Sequence, residues 1–158
     1  MSLMPKDQGL YEARREHDAC GIGAVVNISG KQDHTIIQHA KEVLLNLHHR
    51  GAAGADNVTG DGAGILCQIP HDFLTIEAKK LKIKLPDSGS YGVGMVFAPK
   101  DAKLHKECNT LLEKAIVHYG MTVIGWLEVP VSRDCLGPIA LSAEPSVQQV
   151  FIDGCGLS

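Results

Sequence analysis

The apolar positions fall into two periods, and the changes between them mark out elements. Residues 1–19 show neither: Pro5, Gly9 and dense charge leave no sustained apolar face, so this stretch reads as a leader arm. At Cys20 the pattern changes. Ala24-Val25-Val26 is apolar on both sides, as in a sheet buried between layers, and predicts a strand from Cys20 to Ile28, closed by the turn signal Ser29-Gly30-Lys31. Ile36, Ile37, Ala40, Val43, Leu44 and Leu47 then form one helical stripe, with Asp33 as N-cap, His48, His49 and Arg50 in the last turn and Gly51 as the left-handed stop. A second strand is expected over residues 63–69, ended by Pro70, and a weaker helix from His71 to about Lys82 with Phe73, Leu74, Ala78 and Leu81 inward. Gly92 to Phe97 reads as a strand. Asp101 caps a third helix, stopped by Gly120, that turns Leu104, Cys108, Leu111, Leu112, Ala115 and Ile116 inward and so makes Cys108 a core residue. Thr122 to Val129 is a strand ended by Pro130. A loop runs through Gly137-Pro138, and Val147 to Ile152 reads as one more strand with unknown partners.

Alternating strands and helices of this kind predict, from pattern alone, an α/β doubly wound parallel sheet. A chain of 158 residues suggests one domain or part of one. The net charge of −3 with scattered Lys and Arg points away from nucleic acid and anionic membranes. No apolar run approaches the ~18 residues of a membrane span. The N-terminus has no apolar signal region, and its four acidic residues do not suit a transit peptide. Five cysteines, Cys20, Cys67, Cys108, Cys135 and Cys155, lie far apart with no C-x-x-C spacing, so neither a metal site nor a disulfide framework is expected, and the setting reads as reducing and cytoplasmic.

Three features carry candidate chemistry. Cys20 stands where the polar leader meets the apolar strand. By itself this reads most simply as a buried cysteine opening a strand, since free cysteine is commonly buried. The alternative is that the mature protein begins at Cys20, with its thiol as nucleophile and its freed α-amine as base. Arg50 offers five fixed donors just ahead of a glycine-rich loop. The loop, residues 51–64, lacks the spacing and the following helix of a phosphate-binding motif. Asp56 and Asp61 within it are two carboxylates, thin support for a metal and better suited to Asx turns. His48 and His49 could suggest a pairing with the thiol, but the helix dipole explains them more simply.

Taken together, Cys20-Gly21-Ile22-Gly23, His49-Arg50-Gly51-Ala52, Asp56-Asn57, Thr59-Gly60-Asp61-Gly62-Ala63-Gly64 and Ile69-Pro70-His71-Asp72-Phe73 resemble the start of the large subunits of glutamate synthases. The resemblance continues through Gly92-Val93-Gly94-Met95, Trp126-Leu127-Glu128-Val129-Pro130-Val131, Leu136-Gly137-Pro138 and Glu144-Pro145, from about residue 10 to 152. It implies a class II glutamine amidotransferase (glutaminase) domain of the N-terminal-nucleophile hydrolase fold, an α+β αββα sandwich with antiparallel-rich sheets. Residues 1–19 would then be a propeptide and residues 20–158 the N-terminal part of the domain. Cys20 would attack the side-chain amide of L-glutamine, with Arg50 and Gly51 as supporting or substrate-binding residues.

The resemblance further implies that ammonia passes to a distant flavin half, which converts 2-oxoglutarate to glutamate using FMN, a 3Fe-4S cluster and electrons from NADPH or ferredoxin. No cofactor or metal is expected in this segment itself. The expected partners are the remainder of the large subunit and a small subunit. In the family the oxyanion-hole Asn-Gly and the Arg and Asp that clamp glutamine come later than residue 158, and residues 153–158 depart from the family pattern. The segment by itself is therefore expected to be inactive. A competing expectation is a catalytically incomplete amidotransferase-like domain with an assembly or regulatory role.

Overall fold

The computed structural model describes residue 9, residues 21–60 and residues 62–154. The chain divides into two compact units, Met1–Ala52 with Asp61–Ile65, and Ala53–Gly60 with Leu66–Ser158. No helix among the described residues is long and apolar enough to cross a membrane.

The first unit is built on helix α1, Thr35–Asn46. Its half-buried positions are Ile36, Ile37, Ala40, Val43 and Leu44, continued by Leu47, the stripe that the periodicity picks out. Asp33, the expected N-cap, stands one residue before the observed one. His34 is the N-cap, while Asp33 Oδ1 accepts the Thr35 N–H over 2.9 Å. The expected left-handed stop at Gly51 is not made. Leu47 leads into a 3-10 turn, His48–Arg50, and Gly51 leaves it extended at φ −82. The tighter turn uses the end carbonyls instead: Arg50 N–H donates to Leu47 over 2.8 Å and Gly51 N–H to His48 over 3.1 Å. His49 Nδ1 donates to the Asn46 carbonyl over 2.9 Å.

Residues 21–28 do not form the expected strand. They run against α1, with Gly21 facing Leu47 and Gly23 facing Val43 so closely that a β-carbon would collide with Val43 Cγ1. Ile22, Val26 and Ile28 are exposed. The expected strand over residues 63–69 is also absent, and Leu66 is fully exposed. Both segments are β-prone, but a strand exists only when a neighbour takes up its N–H and C=O groups, and no neighbour among the described residues does so.

The second unit holds helix α2, His71–Lys80, strand β1, Tyr91–Ala98, helix α3, Ala102–His118, strand β2, Thr122–Glu128, helix α4, Pro138–Ala143, and strand β3, Ser146–Asp153. The sheet order is β1-β3-β2, and both pairings are antiparallel. The doubly wound parallel sheet is therefore wrong for these strands. β1 and β2, joined by α3, run parallel to each other with the last strand inserted between them, a split βαβ arrangement. In register, Val93 and Gly125 both face Phe151, while Gly94 and Trp126 both face Val150. β3 is the centre of the core: Val150 and Phe151 are buried.

The two sheet faces differ in chemistry. Leu74 of α2 packs with Tyr91 and Phe151, supported by Val93, Ile124 and Leu127. Leu74 and Ala78 are buried as expected, but Phe73 and Leu81 are exposed. On the opposite face lie Gln148, Val150 and Trp126, and α3 meets them with polar groups. His105 Nε2 and Asn109 Nδ2 approach Gln148 Oε1 at 3.0 and 3.1 Å, and Trp126 Nε1 donates to Glu113 Oε1 over 2.8 Å. A buried amide and an indole N–H need such partners. The helix is consequently turned away from its expected orientation: Ile116 is buried, but Leu104, Cys108, Leu111 and Ala115 are exposed, and Cys108 is not a core residue.

The caps of α3 follow the sequence. Asp101 accepts from Lys103 and Leu104 N–H. Gly120, at φ +76, ends the helix, with Met121 N–H donating to Ile116 and Gly120 N–H to Val117 in a Schellman arrangement. α4 replaces part of the loop expected after Pro130; Pro138 stands in its first turn, where a missing N–H costs nothing.

Candidate functional site

Cys20 lies outside the described residues, as does Asp61. Arg50 closes the 3-10 turn of the first unit, exposed, and its backbone path is fixed by the N–H bond to Leu47. Gly51 follows in an extended conformation that any residue could adopt, so its backbone geometry alone does not demand glycine. Arg50 therefore belongs to the 3-10 turn that follows α1 rather than to α1 itself.

The part of the glycine-rich loop belonging to the second unit, Ala53–Gly60, folds on itself. Ala53 and Gly60 form an antiparallel bridge, and Gly54 N–H donates to the Thr59 carbonyl over 2.6 Å. Asn57 N–H donates to the Gly54 carbonyl over 2.9 Å, with Asn57 itself left-handed at φ 55. Asp56 organises this turn. Its Oδ1 accepts Val58 N–H at 3.2 Å and Thr59 N–H at 2.8 Å, and its Oδ2 accepts the Thr59 hydroxyl at 2.6 Å. These bonds, led by the Thr59 hydroxyl, lower the Asp56 pKa to about 2, so the group is a carboxylate throughout the neutral range. Asp56 thus performs the Asx-turn role, and no cluster of three metal-binding side chains occurs among the described residues.

The same turn reaches far along the chain. Ile139 N–H points to Asp56 Oδ2 and Ala140 N–H to Thr59 Oγ1, both at 3.4 Å. Gly137 closes against them: a β-carbon there would lie 2.5 Å from Asp56 Oδ2, 2.6 Å from Thr59 Oγ1 and 3.1 Å from the Thr59 nitrogen. Thr59 and Gly137 were not marked as site residues by sequence reasoning. The three-residue spacing from Asp56 to Thr59 could have signalled a side chain folding back on the backbone; nothing local signals Gly137.

Beside α3, a cleft of about 840 Å³ is lined by Lys100, His105, Asn109, Arg133 and Glu144. Glu144, with its side chain only 9% exposed, bridges Lys100 at 2.5 Å and Arg133 Nε at 2.8 Å. Its carboxyl is held below the usual range, first by the Lys100 hydrogen bond and then by Arg133. The bridge joins the start of α3 to the end of α4 and pairs Lys100 and Arg133 with one carboxylate. Sequence offered no sign of it, since the three residues are distant.

The family model described as class II glutamine amidotransferases matches residues 20–156, starting at Cys20. The chain is 46% identical over 153 residues to the glutamate synthase (NADPH) large chain of Bacillus subtilis, covering 94% of this chain and 10% of that one. It is 42% identical over 156 residues to the glutamate synthase (NADH) of Saccharomyces cerevisiae, covering 96% and 7%. To the ferredoxin-dependent glutamate synthase 2 of Synechocystis it is 38% identical over 143 residues, covering 89% and 9%. The chain therefore spans a tenth or less of the length of these relatives.

Proposed function

The chain belongs to the class II glutamine amidotransferases, and from that premise we propose that it carries the nucleophile-bearing part of the glutaminase site of a glutamate synthase. Removal of residues 1–19 exposes Cys20 as the first residue. Its α-amine, with an ordinary pKa of ~7.7–8.0, takes the thiol proton directly or through water. The thiolate attacks the side-chain amide carbon of L-glutamine. Ammonia leaves with the transferred proton, and water hydrolyses the resulting thioester to release glutamate. Arg50 and Gly51 support the substrate or the strand end that carries the thiol. The architecture we assign to the whole domain is the N-terminal-nucleophile hydrolase sandwich, on the strength of the family match.

The observation that carries the reading is that the family match begins at Cys20, where polar leader gives way to apolar chain. In the full polypeptide the ammonia is consumed in converting 2-oxoglutarate to glutamate. FMN, a 3Fe-4S cluster and the NADPH or ferredoxin electrons belong to that other part, as does any contact with a small subunit. The compartment is reducing and cytoplasmic, a setting that suits the free thiols of Cys67, Cys108 and Cys135.

N-terminal sequencing of the active full-length enzyme tests the mechanism. It should read Cys-Gly-Ile-Gly, and Cys20→Ala should abolish ammonia release from glutamine while leaving ammonia-dependent glutamate synthesis in place. Fully active enzyme that begins upstream of Cys20 would exclude the α-amine as base.

A further inference from the structure

The stripe of α3 that stays exposed has an order of its own. His105, Asn109 and Glu113 hold one face of the helix on Gln148 and Trp126. On the other face Leu104, Cys108, Leu111 and Ala115 are exposed, Leu104 by 50% and Leu111 by 71%. These four positions follow one another at steps of four, three and four residues, the spacing of a coiled-coil seam. The spacing reads the same in both directions, so two copies of the helix laid antiparallel superpose seam on seam. Leu104 then meets Ala115 of the second copy, and Cys108 meets Leu111 of the second copy. Every layer holds one leucine and one small residue, which gives layers of similar volume that interdigitate. Laid parallel, the same seam stacks leucine on leucine in two layers and leaves space between small residues in the other two.

The charges beside the seam agree with the antiparallel arrangement. Glu107 and Lys114 are exposed, and neither is in an ion pair among the described residues. Each stands one residue before a small seam position, so both lie along one edge of the stripe. In the antiparallel pair that edge meets the same edge of the second copy: Glu107 faces Lys114 and Lys114 faces Glu107. In the parallel pair Glu107 faces Leu112, and both ion pairs are lost. A face that complements itself about a two-fold axis suits an isologous contact. We infer that the 104–115 face of α3 is a docking surface for a second copy of this chain, helix against antiparallel helix. The seam runs only about 16 Å along the axis, short for a stable interface of ~1,200–2,000 Å². The contact is therefore weak and concentration-dependent, and Cys108 stays open to reagents in dilute solution. None of the seam residues belongs to the proposed glutaminase site, so the inference stands apart from that reading.

Cross-linking between copies tests it. Full-length polypeptide grown in heavy nitrogen is mixed with unlabelled polypeptide at high micromolar concentration. A zero-length carbodiimide then joins carboxylates to amines that touch. Peptides that join Glu107 of one isotope to Lys114 of the other report the contact. The wild type should give this mixed cross-link, with a yield that rises with concentration. Leu111→Glu places a carboxylate in the two central layers and should lower the yield about tenfold or more. The double variant E107K/K114E exchanges the two charges. It should keep a mixed cross-link between the same two positions within about threefold of the wild-type yield, because a self-complementary edge survives the exchange. An edge fitted to a different partner does not. Absence of the mixed cross-link at every concentration, a yield indifferent to Leu111→Glu, or loss of the cross-link in the double variant overturns the inference. Glu107 or Lys114 joined instead to another segment of the same polypeptide shows that the chain itself covers this face, and overturns it equally. Should Leu111→Glu not fold, the wild-type and double-variant yields decide.

Discussion

Gly137 meets Asp56 with no room for a side chain between them: a β-carbon at 137 would stand 2.5 Å from Asp56 Oδ2. Gly137 itself is at φ −72 and ψ 162, a conformation open to any residue. Glycine is needed there for space, not for backbone freedom, and the obstacles include the Thr59 backbone as well as movable side chains. Gly137→Ala should therefore destabilise the protein by about 1–3 kcal/mol, the usual range for overpacking. Equilibrium denaturation measures it; an unchanged or raised midpoint would show that the loop yields freely.

Lys82 offers the opposite case. It ends α2 in a Schellman arrangement, with Ile83 N–H on Ala78 at 2.9 Å and Lys82 N–H on Lys79 at 3.0 Å, yet it holds φ +59 with a side chain attached. The left-handed region costs a non-glycine residue ~1–2 kcal/mol, and glycine gives part of this back through its freer unfolded chain. Lys82→Gly should stabilise by about 0.5–1 kcal/mol. A lower Tm would mean that the aliphatic stem of Lys82 contributes packing that outweighs the strain.

The exposed thiols make reagent chemistry informative. Cys67, Cys108 and Cys135 are free and exposed, so a generic alkylating reagent should modify all three. A glutamine-like diazo-ketone should instead label Cys20, because only that thiol would be presented to a bound substrate. Peptide mapping of the full-length enzyme distinguishes the outcomes, and label found mainly on Cys108 or Cys67 would remove Cys20 from the nucleophile's role.

Asp56 gives a pH signature. Its pKa falls from the ordinary 3.8 to about 2, because the Thr59 hydroxyl and N–H favour the charged form. A depressed folded-state pKa means a contribution to stability that is fully present above the unfolded value and fades as pH drops through the folded one. The stability difference between wild type and Asp56→Ala should thus hold steady above about pH 4 and shrink as pH falls toward about 2. Carboxyl-carbon NMR should place the Asp56 midpoint near 2; a midpoint at or above 3.8 would contradict the turn described here.

The sequence by itself determined what depends on near neighbours. The Asp101 cap, the Gly120 stop and the ending of β2 before Pro130 are each settled within about one turn of chain, by a side-chain acceptor, a missing Cβ or a missing N–H. The stripe from Ile36 to Leu47 was equally legible, since residues three and four apart share a helix face in any fold. At the candidate site, the turn-forming role of Asp56 is visible in short polar residues at fixed spacing.

Only the tertiary structure decided the matters that turn on distant partners. Val147 to Ile152 reads as a strand with unknown partners, and it proves to be the core of the central strand, because pairing follows which strands lie adjacent and not how apolar each one is. β-Prone residues 21–28 and 63–69 stay unladdered for the same reason. The rotation of α3 was set by Gln148 and Trp126, whose buried polar atoms drew His105, Asn109 and Glu113 inward and left the more apolar stripe outside. The seating of Asp56 and Thr59 on Gly137 was hidden likewise: a hydrogen bond spanning 83 residues leaves no local period, and a glycine chosen for lack of volume looks, in sequence, like any glycine in a turn.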